Sequence, residues 1–208
     1  MILAIDTSSA ACSAALIGAD GRVIAAADER IGRGHAERLA PMIEEMLDGR
    51  VPSSILVGVG PGSFTGIRVG IAAAHGLAIG WDVPLSGIDS LALTAATALA
   101  ELDEWPAEIG IAHSGGHGEL FVRAFHVRPL VSSGDPANLT PHDAAAVVGA
   151  DLVAGSGAEA LVEARGHGTA LATLPSARFA LALPEALRNL EPKPSDGRAP
   201  DAKPLIAA

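Results

Sequence analysis

An α/β fold of mixed β-sheets with flanking helices is what this sequence predicts, and three observations carry the prediction. Ile55–Trp81, ILVGVGPGSFTGIRVGIAAAHGLAIGW, reads as a buried strand, a sharp glycine–proline turn and a helix of small residues. Three strand-like runs open the chain, and an Asp-Gly turn joins two of them. Asp103-Glu104-Trp105-Pro106 is a charge-rich break, after which strands and helices alternate again. That break divides an N-terminal lobe, residues 1–104, from a C-terminal lobe, residues 105–208.

The first half reads βββαβαβα. Its strands are Ile2–Asp6, Cys12–Ile17 and Arg22–Ala27, with Gly18-Ala19-Asp20-Gly21 as hairpin and Asp-Gly supplying positive φ. A helix is expected from His35 to Leu47, because Leu39, Ile43, Met46 and Leu47 form an apolar stripe while Glu37, Arg38, Glu44 and Glu45 face elsewhere. The strand at Ile55 follows, then the small-residue helix capped by Ser63 or Thr65. A short strand Pro84–Gly87 leads to an alanine-rich helix capped by Asp89 or Ser90 and ending near Leu102. The second half opens with strand Ile109–Ala112, a loop His113–Gly118 and strand Glu119–Phe125, followed by a turn-rich Leu130–Leu139. Thr140-Pro141-His142-Asp143 starts a helix, with cap, N1 proline and acidic first turn in place. Leu152–Ala154 is a strand, and helices follow at Ala158–Ala164 and Ser176–Leu187. Pro192, Pro194, Pro200 and Pro204 make the tail extended.

Composition bounds the function. The 208 residues suffice for one sizeable core or two small lobes, and 49% are hydrophobic. Tyrosine is absent, aromatics total 3% and the formal charge is −10, which argues against stacking on or neutralising a nucleic acid. Any service to RNA therefore runs through a partner. A single cysteine, Cys12, excludes an internal disulfide and reads as a buried small hydrophobe. The start of the chain has no basic segment of a signal peptide, and no stretch offers the ~18 apolar residues of a membrane span, so the expected location is the cytoplasm.

The helix after the glycine turn holds Gly66, Gly70, Ala74 and Ala78 four apart on one stripe. Each interior glycine costs roughly 1 kcal/mol against alanine, and a partner helix packed along the stripe would compensate. This reading expects Gly70→Leu to abolish pairing while leaving the monomer folded. A phosphate loop is the alternative, but the segment has no lysine and Thr65 stands where both glycine fingerprints need glycine. Asp6-Thr7-Ser8-Ser9 ends the first strand and reads either as a metal and nucleotide contact or as a turn into the hairpin; Asp6, Thr7, Ser63 and Arg68 are the candidate anion or nucleotide contacts. His113, His117 and Glu119 have metal-ligand residue types, but the intervening Ser114-Gly115-Gly116 argues against a helical zinc pair, and no metal ligand is assigned. Neither Ser156 nor Ser63 has the glycines of a nucleophile elbow. No catalytic residue is assigned.

The segments ILAIDTSSAACSAAL, HAERLAPMIEEML, VGVGPGSFTGIRVGIAAAHGLA, GIDSLALTA and RAPDAKP resemble the bacterial TsaB (YeaZ) family, which is related to the TsaD glycoprotease (M22) family. The resemblance covers most of the first half and the C-terminus. It implies an actin-like, hexokinase-like (ASKHA) fold and a non-catalytic scaffold role in making N6-threonylcarbamoyladenosine (t6A) at position 37 of tRNA. It implies pairing with a TsaD-like catalytic paralogue that holds ATP and metal, with no cofactor on this chain alone, and joining by a TsaE-like ATPase. It also implies homodimers when the chain is alone, and only indirect contact with tRNA. The family pairs through its two N-lobe helices, here 35–47 and 65–81, which makes His35, Leu39, Met42, Ile43, Met46, Phe64, Gly66, Ile67, Gly70, Ile71, Ala74 and Ala78 the expected partner interface. His113–Gly118 departs from the family pattern. The competing reading is a self-contained nucleotide-dependent transferase or M22-type metallopeptidase using Asp6, Arg68 and the His113/His117 pair.

Overall fold

The computed structural model describes residues 1–195; the RAPDAKP segment and prolines 200 and 204 lie outside the described residues. Two sheets share the chain. The first has the order β3-β2-β1-β4-β5, from Ile2–Asp6 (β1), Ala11–Ile17 (β2), Val23–Arg30 (β3), Ser54–Gly60 (β4) and Leu85–Asp89 (β5). β1 pairs antiparallel with β2 (Leu3 opposite Leu16) and parallel with β4 (Leu3 opposite Ile55), and β4 pairs parallel with β5. This arrangement is that of the actin-like lobes expected from the sequence.

The second sheet has the order β11-β10-β6-β7-β8, with β9 paired to β7. Its strands are Glu108–Ser114 (β6), Leu120–Val127 (β7), Leu130–Ser132 (β8), Ala137–Leu139 (β9), Leu152–Ala154 (β10) and Thr169–Leu171 (β11).

Helices fill the layers between and outside the sheets. His35–Leu47 (α1) and Phe64–Trp81 (α2) cover one face of the first sheet, packing on Leu3, Ile5, Leu16, Ile55 and Val57. Ser90–Ala100 (α3) lies on the opposite face and is shared, touching Ala4, Ala15 and Ile88 of the first sheet and Ile109, Ile111 and Phe125 of the second. A helix with apolar residues all round suits this place, since both of its sides are covered. Pro141–Val147 (α4) and Ala158–Arg165 (α5) close the outer face of the second sheet through Ala144, Leu161, Val122 and Val153.

Several expectations need correction. Ser176–Leu187 is not one helix: Ala177–Ala182 is a 3-10 turn, and Glu185–Arg188 (α6) is separate. Pro184 stands between them, where its ring fixes φ and disfavours helix at the preceding residue. This segment returns to the first sheet, where Leu190 bridges to Gly87 and Ser195 N–H donates to the Val59 carbonyl at 2.7 Å. Residues 173–195 thus make contacts with the lobe from which the sequence division separated them. His113 and Ser114 belong to β6, not to a loop. In the first hairpin only Gly21 takes a positive φ, while Asp20 does not. The three-residue strands β8, β9 and β11 escaped the sequence reading, being too short to show a period.

Candidate docking face and buried polar groups

α1 and α2 lie side by side, and each end of α2 shows how the sequence sets it. Ser63 caps its start, its hydroxyl accepting from Gly66 N–H at 3.2 Å. Asp82 ends it in the left-handed region. The stripe expected to receive a partner is already occupied from within the chain. Gly66, Ile67, Gly70, Ile71 and Ala74 are buried. Thr7 Oγ donates to the Gly66 carbonyl at 2.7 Å, and a Cβ on Gly70 would collide with that same hydroxyl. The glycines of this row let the helix approach the end of β1; they serve the monomer's own packing.

The same correction applies to α1. His35, Leu39, Met42, Ile43 and Met46 point into the core, and His35 Nε2 lies 3.1 Å from the Ala11 carbonyl. Among the expected interface residues Phe64 is 67% exposed, Ala78 is half-buried, and Ile43 also lines a surface groove.

That groove runs between the two helices and has a volume of about 480 Å3. Its walls are Ala40, Ile43, Glu44 and Leu47 of α1, Ala73, Gly76, Leu77 and Trp81 of α2, and Gly49-Arg50-Val51 beyond α1. Arg50 closes one end, donating to the Leu47 carbonyl at 2.8 Å and the Met46 carbonyl at 3.3 Å. Gly76 and Gly80, four apart and solvent-facing, would place a Cβ in open space. Ile79, next to this row, is 80% exposed. The outer face of α2 thus repeats the small-residue spacing of the inner one, and among the described residues nothing lies within 4 Å of a Cβ placed at Gly76 or Gly80. Sequence reasoning missed Ala40, Leu47, Ala73, Gly76, Leu77, Ile79 and Trp81, although the Gly76/Gly80 step was a visible signal.

The candidate anion contacts do not assemble into one site. Asp6 is fully buried; one carboxylate oxygen accepts from Ser8 N–H (2.9 Å) and Ser8 Oγ (2.7 Å), the other from Ser90 Oγ (2.7 Å). Desolvation pushes its pKa up, against the pull of the Ser8 and Ser90 hydrogen bonds. Ser90 Oγ in turn accepts from Gly60 N–H at 3.1 Å. Thr7 is buried against α2, Ser63 Oγ is committed to its cap, and Arg68 stacks 3.5 Å from the Phe64 ring centroid while donating to the Phe64 carbonyl. The Gly60-Pro61-Gly62 turn has a structural reason: Ser63 N–H donates to the Ser8 carbonyl at 2.7 Å, and a Cβ on Gly62 would strike that carbonyl. Glycine here lets two backbones meet.

His113 is buried, and its Nε2 lies 2.7 Å from Thr94 Oγ. The Thr94 hydroxyl already donates to the Ser90 carbonyl at 2.9 Å, so His113 must carry its proton on Nε2 and donate it. Burial pushes its pKa down to about 4. His117 is exposed and sits in the turn after Ser114, so the two imidazoles do not converge. Among the described residues no three His, Cys, Asp or Glu side chains form a metal-holding group, and no helix is long and apolar enough to cross a membrane.

Comparisons with known proteins agree with this architecture. The family model for TsaD, tRNA N6-adenosine threonylcarbamoyltransferase, matches residues 27–150. The tRNA threonylcarbamoyladenosine biosynthesis protein TsaB of Escherichia coli K12 is 44% identical over 95 residues, 43% of this chain and 40% of that protein. Its namesake from Haemophilus influenzae is 40% identical over 102 residues, 47% of this chain and 42% of that protein. These matches span less than half the length of either relative. The solved structure of YeaZ from Pseudomonas aeruginosa superposes with a TM-score of 0.76 at 30% identity, covering 93% of this chain and 97% of that one. A second Pseudomonas aeruginosa structure, described as similar to peptidase YEAZ, gives 0.74 at 32% identity over 88% of each chain.

Proposed function

Because this chain belongs to the TsaB (YeaZ) family, we propose that it is a non-catalytic scaffold subunit of a bacterial complex that makes N6-threonylcarbamoyladenosine in tRNA. It pairs with a TsaD-like catalytic paralogue and holds that partner in its active arrangement. The observation that carries this reading is the apolar groove between α1 and α2, open among the described residues. Small residues at Ala73, Gly76 and Gly80 let a helix backbone approach closely, and Leu77, Trp81 and Ile79 supply apolar area around them. Glu44 and Arg50 give the groove one charge of each sign beside its apolar floor, which a partner helix can pair at the rim. ATP and metal belong on the partner, a TsaE-like ATPase joins through the complex, and tRNA is met through these subunits in the cytoplasm. Alone, the chain pairs with a second copy over the same face, so self-association competes with docking.

The competing reading, a self-contained transferase or metallopeptidase, has no support in the geometry: both Asp6 oxygens are taken by serines, and His113 and His117 lie apart. The test is a titration of the TsaD-like paralogue from the same organism with wild-type chain and with Gly76→Leu. A leucine at Gly76 fills the groove without touching the fold, so affinity should fall at least tenfold while the unfolding midpoint holds or rises. Unchanged affinity would overturn the assignment of this face.

A further inference from the structure

We propose that α3 and the polar contacts along it lock the two sheets into one body whose halves do not open and close against each other. Asp89 is the centre of the lock. One of its carboxylate oxygens accepts from Ala92 N–H at 2.9 Å, capping α3, while the other is paired with Arg123 of β7 in the second sheet. The two side chains are only 8% and 11% exposed. Moving the sheets apart at this point would separate two charges already withdrawn from water and leave each without its partner. Beside them, the Thr94–His113 hydrogen bond joins α3 to β6, and the Asp6–Ser90 bond joins the start of α3 to β1.

The other end of α3 is held by the returning C-terminal segment. Ser176 N–H donates to Thr97 Oγ at 3.0 Å, and Thr173 Oγ donates to Glu101 at 3.2 Å. Asp28 of β3 accepts from Ser13 Oγ at 2.5 Å, Ser176 Oγ at 3.0 Å and Arg178 Nε at 2.7 Å, while Ala177 N–H donates to Ser13 Oγ at 2.7 Å. Between these two sets of contacts every residue from Ser90 to Leu99 is buried, in one apolar cluster with residues of both sheets, so any relative movement of the sheets has to break these contacts together. The joint between the two sheets is thus held at both ends of α3 and along its length. The inference is independent of the docking face, which lies on the far side of the first sheet.

Native-state amide exchange on the full chain tests it. The reporters are Ala92 N–H, Gly60 N–H, Ser176 N–H and Ala177 N–H, each of which donates to a side chain of the lock. In the wild-type protein these amides should exchange only through global unfolding, in step with Ala4 and Ile5 of β1. Arg123→Gln should speed exchange of Ala92 and Gly60 at least tenfold beyond any change in β2 or α1, and Arg123→Lys should recover part of that loss. A wild-type protein whose reporters exchange through a separate, easier opening would overturn the proposal. So would an Arg123→Gln chain whose reporters stay in step with β1. The wild-type comparison decides the matter even where Arg123→Gln does not fold.

Discussion

The two small-residue rows of α2 differ in one respect: what stands opposite them. Gly66, Gly70 and Ala74 meet the end of β1 and the side chains of β4, whereas Ala72, Gly76 and Gly80 meet solvent. Spacing and composition are nearly the same. The inner row lets the chain pack on itself, and the outer row leaves a surface on which something else can pack. A stripe of small residues therefore says that a close approach occurs, and the position of the sheet decides whether it occurs within the molecule. The seam around α3 extends the inner case, with small and apolar residues covered on every side.

The sharpest way to break this contrast is to put the same residue on both rows. Gly70→Leu forces a branched side chain against Thr7 and Val57, and overpacking of this kind should cost about 3 kcal/mol. At Gly76 a Cβ meets nothing within 4 Å and a leucine has the open groove to enter, so replacing this helix glycine should leave stability unchanged or raise it by up to about 1 kcal/mol. Urea midpoints of the two variants give the comparison directly. A Gly70→Leu chain as stable as wild type would show the inner row to be no tighter than the outer. The expectation that this substitution spares the monomer is thus reversed by the packing.

The closed side can also be separated from the open one by pH. Burial holds His113 down to about 4, whereas an unfolded chain takes up that proton near the ordinary value of 6.5. Between those values the unfolded state binds more proton, so this contribution to stability is complete above 6.5 and is lost as pH falls toward 4. By linkage the loss reaches about 3 kcal/mol. Unfolding free energies at pH 7 and pH 4.5 should differ less in His113→Gln than in wild type. Asp6 acts in the opposite sense, since its raised pKa favours the folded state on the acid side and that gain fades as pH rises through the folded value. An acid dependence that survives His113→Gln intact would place its origin outside the seam.

Much of the fold was legible because single elements carry their own period. α1 was read to both of its ends, since Leu39, Ile43, Met46 and Leu47 mark a helical face against charged neighbours. β1 and β10 were read to their bounds because they are apolar runs closed by Asp6 and by Gly155. α2 resisted for the opposite reason: with only Arg68 and His75 as charged or titratable residues it has no polar face, and its sequence does not say which row turns inward. The Asp6 site was equally opaque. A carboxylate beside three hydroxyls suits a ligand or a turn, and the deciding partner, Ser90, lies 84 residues away. Long-range pairs such as Asp89–Arg123 leave no local trace at all.

The smallest expected effect sits where the two rows begin. Ser63 caps α2 through its hydroxyl, while its backbone N–H separately holds the Ser8 carbonyl. Ser63→Ala removes the first bond and keeps the second, so the helix loses one satisfied donor without losing its seat on β1. A cap of this kind is worth about 1 kcal/mol, which for a chain of this size lowers Tm by roughly 2–4 °C. The cap acts on the first turn alone, so the groove at Gly76 and Trp81 keeps its shape, and affinity for the partner should stay within about twofold of wild type. Calorimetry and the partner titration on the same preparation separate the two effects. A Ser63→Ala chain that lost docking while keeping its Tm would place Ser63 in the interface and extend the outer face to the very start of the helix.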